Sequence, residues 1–203
     1  MKLFIHHLKS PIVRKVLLVA HEAKVDLEIE RVAWNEGDHL QSYYKNINPN
    51  AKFPSLIDDG FLLWESNAII LYLAEKAQAT HLLPTALKDK MNVTKWLFWE
   101  SAQFAIACLN LTYIYFHPAK QLAPEFLERY HLEFRSYAEI LNTLLSENRY
   151  ICGEQITLAD FSIASNLTYA RVRGFPLDDF PNLARWFDEI EQRPSWIATT
   201  PKD

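Results

Sequence analysis

The chain changes character near residue 80, and this change constrains its fold more than any other feature. Before that point, short apolar runs typical of strands alternate with stretches in which apolar residues recur at helical spacing. After it, every long segment has helical spacing. We therefore expect an α/β domain at residues 1–78, a linker at 79–85 and an all-α domain at 86–203.

The first 78 residues predict the element order β-α-β-α-β-β-α. The apolar run at 2–5 is typical of a strand, and Ser10 with Pro11 forms the cap and first-turn pair of a helix. The stretch "VDLEIERVAW" alternates as a strand does, and a short helix follows near "DHLQSYYKN". Two apolar runs then flank Asp59-Gly60, which indicates a tight hairpin, and a helix is expected from Ser66 to about Lys76.

The second half predicts a helical bundle. One long helix is expected over "KDKMNVTKWLFWESAQFAIACLNLTYIYF", ending at His117-Pro118, and another opens at Pro124. Thr157 and Asp160 in "GEQITLADFSIA" have the spacing of a capping box. The Pro124 helix carries a bundle-facing stripe at spacings of three and four, made of Leu127, Tyr130, Phe134, Tyr137, Leu141 and Leu144.

Composition argues against several classes of function. The net charge of −4 gives no basic field for nucleic acid, and no apolar run is long enough to span a membrane. Only 4 glycines leave no Gly-rich phosphate loop, so no nucleotide is expected. Two distant cysteines form neither a disulfide framework nor a thiolate metal site, and no metal is expected. The first residues lack the features of a secretory signal, which favours a cytoplasmic protein.

Three segments together carry a resemblance to a known family. These are "NPNAKFPSLIDDGFLLWESNAIILYL" (48–73), "GEQITLADFSIA" (153–164) and "FPNLARWFDEIEQRPSW" (180–196). In their order and separation they resemble the cytosolic glutathione S-transferases, of the theta-like, serine-using type. The resemblance implies a thioredoxin-like N-terminal domain, an all-helical C-terminal domain and glutathione as co-substrate. It also implies a role in detoxification and a homodimer.

The resemblance places glutathione contacts on six residues. It implies a cis Phe53-Pro54 bond, which would leave the Phe53 backbone free to pair with the cysteinyl unit. Ser66 at a helix start would hold the γ-glutamyl carboxylate, and Glu65 would accept from the ammonium group. Lys52 and His39 lie where related enzymes hold the glycyl carboxylate.

Each of these residues also has a plain structural interpretation. Pro54 in trans would be an ordinary loop residue, and Ser66 would be an N-cap without further role. Glu65 would be a solvated side chain, and Lys52 and His39 would be surface residues in loops. These alternatives remain open on the sequence alone.

The residue that would activate the thiol is Ser10. The first Tyr is Tyr43 and the first Cys is Cys108, both too late for the position this family uses. Ser10 matches the catalytic serine of serine-type members, while its alternative role is that of a helix cap. His6 and His7 match no catalytic position of the family and are interpreted as strand-end residues.

The expected function is conjugation of the glutathione thiolate to an apolar electrophile. The same thiolate would also serve a glutathione-dependent isomerase, dehalogenase or ether-cleaving enzyme, and the fold also hosts binding or regulatory proteins without turnover. Phe104, Tyr113 and Phe116 are candidates for the acceptor pocket, with core packing as the alternative. The apolar surface around Trp96, Trp99 and Phe104 is the candidate dimer contact. The sequence does not specify the electrophile.

Overall fold

The chain is organised in two compact units. The computed structural model describes residues 1–116 and 123–201, without the side chains at 114–116 and 124. The first unit contains Met1–Leu83 and the segment that begins at Pro194, and the second contains Pro84–Arg193. The boundary expected from the sequence placed that last segment with the helical domain instead.

The first unit has the predicted order of elements. Its strands are β1 (Lys2–Ile5), β2 (Glu28–Arg31), β3 (Ser55–Asp58) and β4 (Phe61–Trp64), and its helices before residue 80 are α1 (Pro11–Glu22), α2 (Ser42–Lys45) and α3 (Ser66–Lys76). The strands form one mixed sheet in the order β2-β1-β3-β4, in which only β1 and β2 run parallel. Asp59 and Gly60 make the predicted hairpin, both at positive φ.

The side chains of β1 alternate between the two faces of the sheet, and those on both faces are buried. Phe4 packs with Val32 and Tyr44 on the face that α2 covers. Leu3 and Ile5, both fully buried, point to the opposite face. Strand β2 lies at an edge of the sheet, and all four of its residues are exposed. Its alternating sequence pattern indicated one buried face, which the strand does not have.

Arg14 on α1 explains why the C-terminal segment belongs to the first unit. Its guanidinium is 1% exposed and donates to the Trp196 carbonyl at 2.9 Å and to the Thr200 hydroxyl at 3.0 Å. It also lies 3.7 Å from the centroid of the Trp196 ring, within helix α9 (Pro194–Ala198). Ser195 adds a hydrogen bond to Glu22 at the end of α1. These polar contacts join residues that are far apart in the chain, and no local sequence pattern predicts them.

The second unit is helical, as predicted. Its helices are α4 (Leu87–Trp99), α5 (Ala105–Phe116), α6 (Pro124–Glu147), α7 (Leu158–Asn166) and α8 (Pro181–Glu191). The single long helix expected before His117 is interrupted by a π-helical turn at Glu100–Phe104, and its expected end at His117-Pro118 lies outside the described residues. At this turn the buried Glu100 carboxylate accepts from Ser162 and Asn166 of α7.

The predicted patterns of α6 and α7 are confirmed. All six stripe residues of α6 are at least half-buried. In α7, the Thr157 side chain accepts from Ala159 N–H and the Asp160 side chain accepts from Thr157 N–H, which completes the capping box. Trp186 of α8 donates to Asp160 at 2.9 Å, so two of the three quoted sequence segments meet at one carboxylate.

The apolar surface of α4 and α5 differs from the expected one. Trp96 and Phe104 are buried, because their rings pack inside the unit with Trp99 and Phe134. The large apolar residues that remain exposed on these helices include Met91, Phe98, Ile106 and Leu109. Across the described ranges, no helix combines the length and the apolar character needed to cross a bilayer.

Candidate functional site

Ser10 sits at the N-cap of α1 but does not cap it through its side chain. Its backbone is extended, with φ −73° and ψ 124°, and its carbonyl accepts from Arg14 N–H at 2.8 Å. The side chain makes no capping hydrogen bond, although the residue is only 8% exposed. Serine is common at an N-cap because its hydroxyl accepts a hydrogen bond from a backbone N–H of the first turn. That hydrogen bond is absent here, so the Ser10 hydroxyl does not cap α1.

Glu65 and Ser66 form the start of α3. Glu65 is the N-cap, with φ 70° and ψ 115°, and Ser66 is the first helical residue. The alternative in which Ser66 is merely an N-cap is therefore wrong. A non-glycine residue at positive φ outside a tight turn is strained, and residues of this kind cluster at active sites and ligand-binding segments. The first N–H groups of a helix have no partner within it and point outward, which suits an anion.

The Phe53-Pro54 bond is cis, as the resemblance implied. The loop before it is braced at the Lys52 carbonyl, which accepts from the Tyr44 hydroxyl at 2.6 Å and from Asn48 Nδ2 at 2.9 Å. Burial raises the pKa of Tyr44 to about 12, so this hydroxyl keeps its proton. In the described part of the chain, no backbone–backbone hydrogen bond involves Phe53.

The two residues expected to bind the glycyl carboxylate of glutathione have different environments. The side chain of Lys52 is exposed, as its surface interpretation predicts. His39 is 8% exposed and stacks on Trp34 with ring centroids 4.0 Å apart, so its surface interpretation is wrong. Its buried Nδ1 atom has no hydrogen-bond partner among the described residues. A buried polar atom of this kind favours a ligand or a solvent molecule as its partner.

His6 belongs to the same part of the fold, although sequence reasoning gave it no role. Its ring stacks on Phe53 at 5.2 Å and lies near Trp34 at 5.9 Å and His7 at 3.8 Å. We call His6, His7, Trp34, His39 and Phe53 the histidine–aromatic cluster. Within residues 1–116 and 123–201, no group of three or more His, Cys, Asp or Glu side chains is arranged to hold a metal ion.

The cluster makes stability depend on pH. Burial, then the neighbouring His7 and His39, lowers the pKa of His6 to about 4 from an ordinary 6.5. A histidine with a lowered pKa in the folded state contributes stability above pH 6.5, and that stability is lost as the pH falls toward 4. We expect His6→Phe, which keeps the ring stack, to lose less stability than wild type between pH 6.5 and 4 in denaturant titrations.

The exposed His81 provides the matched control for this experiment. His81→Phe removes one imidazole without touching the cluster and should follow the wild-type curve. If the free energy of unfolding depended on pH in the same way in wild type and His6→Phe, the lowered pKa of His6 would be contradicted.

The expected acceptor-pocket residues are placed differently from one another. Phe104 is fully buried, with its ring 5.5 Å from Trp99 and 6.1 Å from Phe134. A ring without exposed surface is a core residue, so the core interpretation of Phe104 replaces the pocket interpretation. Tyr113 is 39% exposed on α5 and stays a candidate, and the Phe116 side chain lies outside the described residues.

Comparison with known proteins identifies the family of both domains. Residues 1–75 match the N-terminal domain of glutathione S-transferases and residues 105–194 match their C-terminal domain. The chain therefore belongs to the glutathione S-transferase family, with a thioredoxin-like first domain and a helical second domain.

Solved structures of the family are similar over nearly the whole chain. Glutathione transferase F7 from Populus trichocarpa is 25% identical, with a TM-score of 0.88, and the match covers 98% of this chain and 96% of that one. The glutathione transferase URE2P6 from Phanerochaete chrysosporium, in complex with oxidized glutathione, is 25% identical, with a TM-score of 0.87 and coverages of 98% and 93%. A delta-class glutathione transferase from Nilaparvata lugens, 24% identical with a TM-score of 0.88 and coverages of 98% and 92%, shares the fold.

Proposed function

We propose that the protein is a serine-type glutathione transferase that conjugates glutathione to an apolar electrophile. The observation that carries this proposal is the Ser10 hydroxyl, which occupies a helix N-terminus without capping it. The thiol loses its proton to solvent, and the hydroxyl donates a hydrogen bond to the resulting glutathione thiolate. The sulfur then uses a lone pair to form a bond to an electrophilic carbon. In a substitution the leaving group departs with the electron pair of its bond to that carbon, and in addition to an epoxide or an enone the displaced electron pair stays on the substrate, which takes up a proton from solvent.

The ends of glutathione are held by other residues of the first unit. The γ-glutamyl carboxylate binds at Ser66, where the first turn of α3 supplies N–H groups and the hydroxyl, and Glu65 accepts from the ammonium group. The backbone of Phe53, next to the cis bond, pairs with the cysteinyl unit. His39 and Lys52 hold the glycyl carboxylate, and the buried His39 Nδ1, which has no hydrogen-bond partner within residues 1–116 and 123–201, supports this role.

The electrophile is proposed to be apolar because of the residues that flank Ser10. Leu8 and Ile12, two residues before and two residues after Ser10 in the chain, are 39% and 43% exposed, so aliphatic surface is available close to Ser10 in sequence. A panel of aryl halides, epoxides, enones and alkyl halides, assayed with and without glutathione, tests this proposal. Conjugation confined to polar electrophiles would contradict the apolar part of it.

Replacing Ser66 by Ala is expected to weaken glutathione binding about tenfold or more. The substitution removes a hydrogen bond to a carboxylate, a contact that contributes about 1.5–3 kcal/mol. Calorimetry measures the change in affinity, and a melting curve checks that the protein remains folded.

Ser42→Ala is the matched control for this prediction. Ser42 is exposed and, like Ser66, is the first residue of a helix in the first unit. It should leave glutathione affinity unchanged. An unaltered affinity in folded Ser66→Ala would show that Ser66 does not bind the ligand.

We also propose that the protein is a homodimer. Each unit exposes large apolar side chains, with Phe61 and Trp64 on β4 and Phe98 and Leu109 on α4 and α5. Apolar surface of this kind is typical of protein–protein contacts. Sedimentation at micromolar concentration should give twice the chain mass of 23.7 kDa, and Phe98→Asp should shift the equilibrium toward monomer. A wild-type protein that sediments only as a monomer would contradict the proposal.

A further inference from the structure

A buried hydrogen-bond network holds the carbonyl of Lys52, the residue before Phe53. The Tyr44 hydroxyl donates to this carbonyl at 2.6 Å, and Asn48 Nδ2 donates to it at 2.9 Å. Ser55 Oγ lies 3.0 Å from the Tyr44 hydroxyl and accepts from Asn48 Nδ2 at 3.2 Å. Tyr44, Asn48 and Ser55 are at most 2% exposed, so water competes little for these hydrogen bonds.

The orientation of the Lys52 carbonyl also determines that of the Phe53 N–H. The two groups belong to one planar peptide unit, and they point in opposite directions because the Lys52–Phe53 bond is trans. A carbonyl directed at Tyr44 and Asn48 therefore turns the Phe53 N–H away from them. Among the described residues, this N–H donates to no backbone carbonyl.

The position of the Tyr44 hydroxyl is set by the sheet. Tyr44 lies on α2, and its ring packs in the core with Phe4 and Val32. The same ring lies 4.7 Å from the ring of Phe53, measured between centroids. Tyr44 thus contacts the loop at two points, the carbonyl before Phe53 and the Phe53 side chain, from a place that the loop does not control.

We propose that Tyr44 is a positioning residue that presents the Phe53 N–H to the cysteinyl carbonyl of glutathione, by holding the Lys52 carbonyl on the opposite side of the same peptide unit. This inference rests on the proposed function, which pairs the Phe53 backbone with the cysteinyl unit. Tyr44 does not touch glutathione. Without the Tyr44 hydroxyl the peptide unit turns more freely, and a misaligned N–H makes a weaker hydrogen bond.

The first measurement compares glutathione with an analogue in which a trans carbon–carbon double bond replaces the peptide bond between cysteine and glycine. The analogue keeps the planar geometry, both carboxylates and the thiol, but it lacks the carbonyl oxygen that would accept from Phe53 N–H. Calorimetry gives the two dissociation constants, and their ratio is the preference for glutathione. This preference should be about threefold to tenfold in wild type and below about twofold in Tyr44→Phe. A residue that only stabilised the fold would weaken both ligands together.

The second measurement observes the Phe53 N–H directly. Lys52-Phe53 is the one Lys-Phe pair in the sequence, so labelling of lysine carbonyl carbons and phenylalanine nitrogens isolates this amide in NMR spectra. Saturating glutathione should move the amide proton signal downfield in wild type, and the analogue should move it less. In Tyr44→Phe the shift caused by saturating glutathione should be smaller than in wild type.

Two further variants complete the experiment. Tyr43→Phe is the matched control, because Tyr43 precedes Tyr44 on α2 and is 51% exposed, and it should keep the wild-type preference and shift. Asn48→Asp removes the second donor to the Lys52 carbonyl and keeps an acceptor for Asn50 N–H. It should also lower the preference, which tests the network even if Tyr44→Phe fails to fold.

The outcomes separate the inference from the proposed function. A wild-type preference in folded Tyr44→Phe, or in Asn48→Asp where only that variant folds, overturns the role of Tyr44 and leaves the glutathione site intact. Equal affinity of wild type for the two ligands overturns the pairing at Phe53 and the inference with it, while Ser10 and Ser66 keep their proposed roles. Failure of wild type to bind glutathione overturns the proposed function itself.

Discussion

Asp160→Ala is expected to lower the free energy of unfolding by about 3–5 kcal/mol, measured by denaturant titration at pH 7.5. The carboxylate is fully buried and accepts hydrogen bonds from Ile151 N–H, Thr157 N–H and Trp186 Nε1. Burial raises its pKa to about 6, so it is ionised at pH 7.5. Alanine would leave three buried donors without their acceptor, and each such donor costs about 1–3 kcal/mol.

Asp178 provides the control for this effect. It is an exposed aspartate of the same unit, and Asp178→Ala should change the free energy of unfolding by less than about 0.5 kcal/mol. Thr157→Ala removes only the other half of the capping box and should lower the free energy of unfolding by about 1 kcal/mol. A loss below 1 kcal/mol in Asp160→Ala would show that the carboxylate does not organise the second unit.

Ser10→Ala is expected to lower turnover about tenfold to a hundredfold. A hydrogen bond to a charged group contributes about 1.5–3 kcal/mol, which corresponds to a rise of about 1–2 in the thiol pKa. Glutathione affinity at low pH, where the thiol is neutral in both proteins, should stay nearly unchanged. Because the Ser10 side chain makes no capping hydrogen bond, the substitution should also have little effect on the unfolding midpoint.

The elements that the sequence predicted well depend on local chemistry. The Asp59-Gly60 hairpin, the Ser10-Pro11 helix start and the Thr157–Asp160 capping box each need only a few adjacent residues, and all three are present. The cis Phe53-Pro54 bond came from the resemblance, since an isolated X-Pro dipeptide favours trans.

The features that the sequence did not reveal depend on contacts between distant residues. The π turn at Glu100 occurs where that side chain meets α7, and the last segment joins the first unit through Arg14. His6 gains its neighbours from Trp34 and Phe53, which are far from it in the chain. Glu65 takes the N-cap position at positive φ in place of Ser66, and this conformation likewise has no sequence signature.

The most direct test of the Ser10 mechanism is an ultraviolet titration of the thiolate of bound glutathione, in wild type and in Ser10→Ala. In wild type the pKa of the bound thiol should lie below the ordinary value of about 8.5, and in Ser10→Ala it should be about 1–2 higher than in wild type. Rates with a reactive aryl halide should fall in parallel. Coincident titrations with equal rates would show that Ser10 has no catalytic role. An unshifted wild-type pKa without turnover of any electrophile would show that the protein binds glutathione without catalysis.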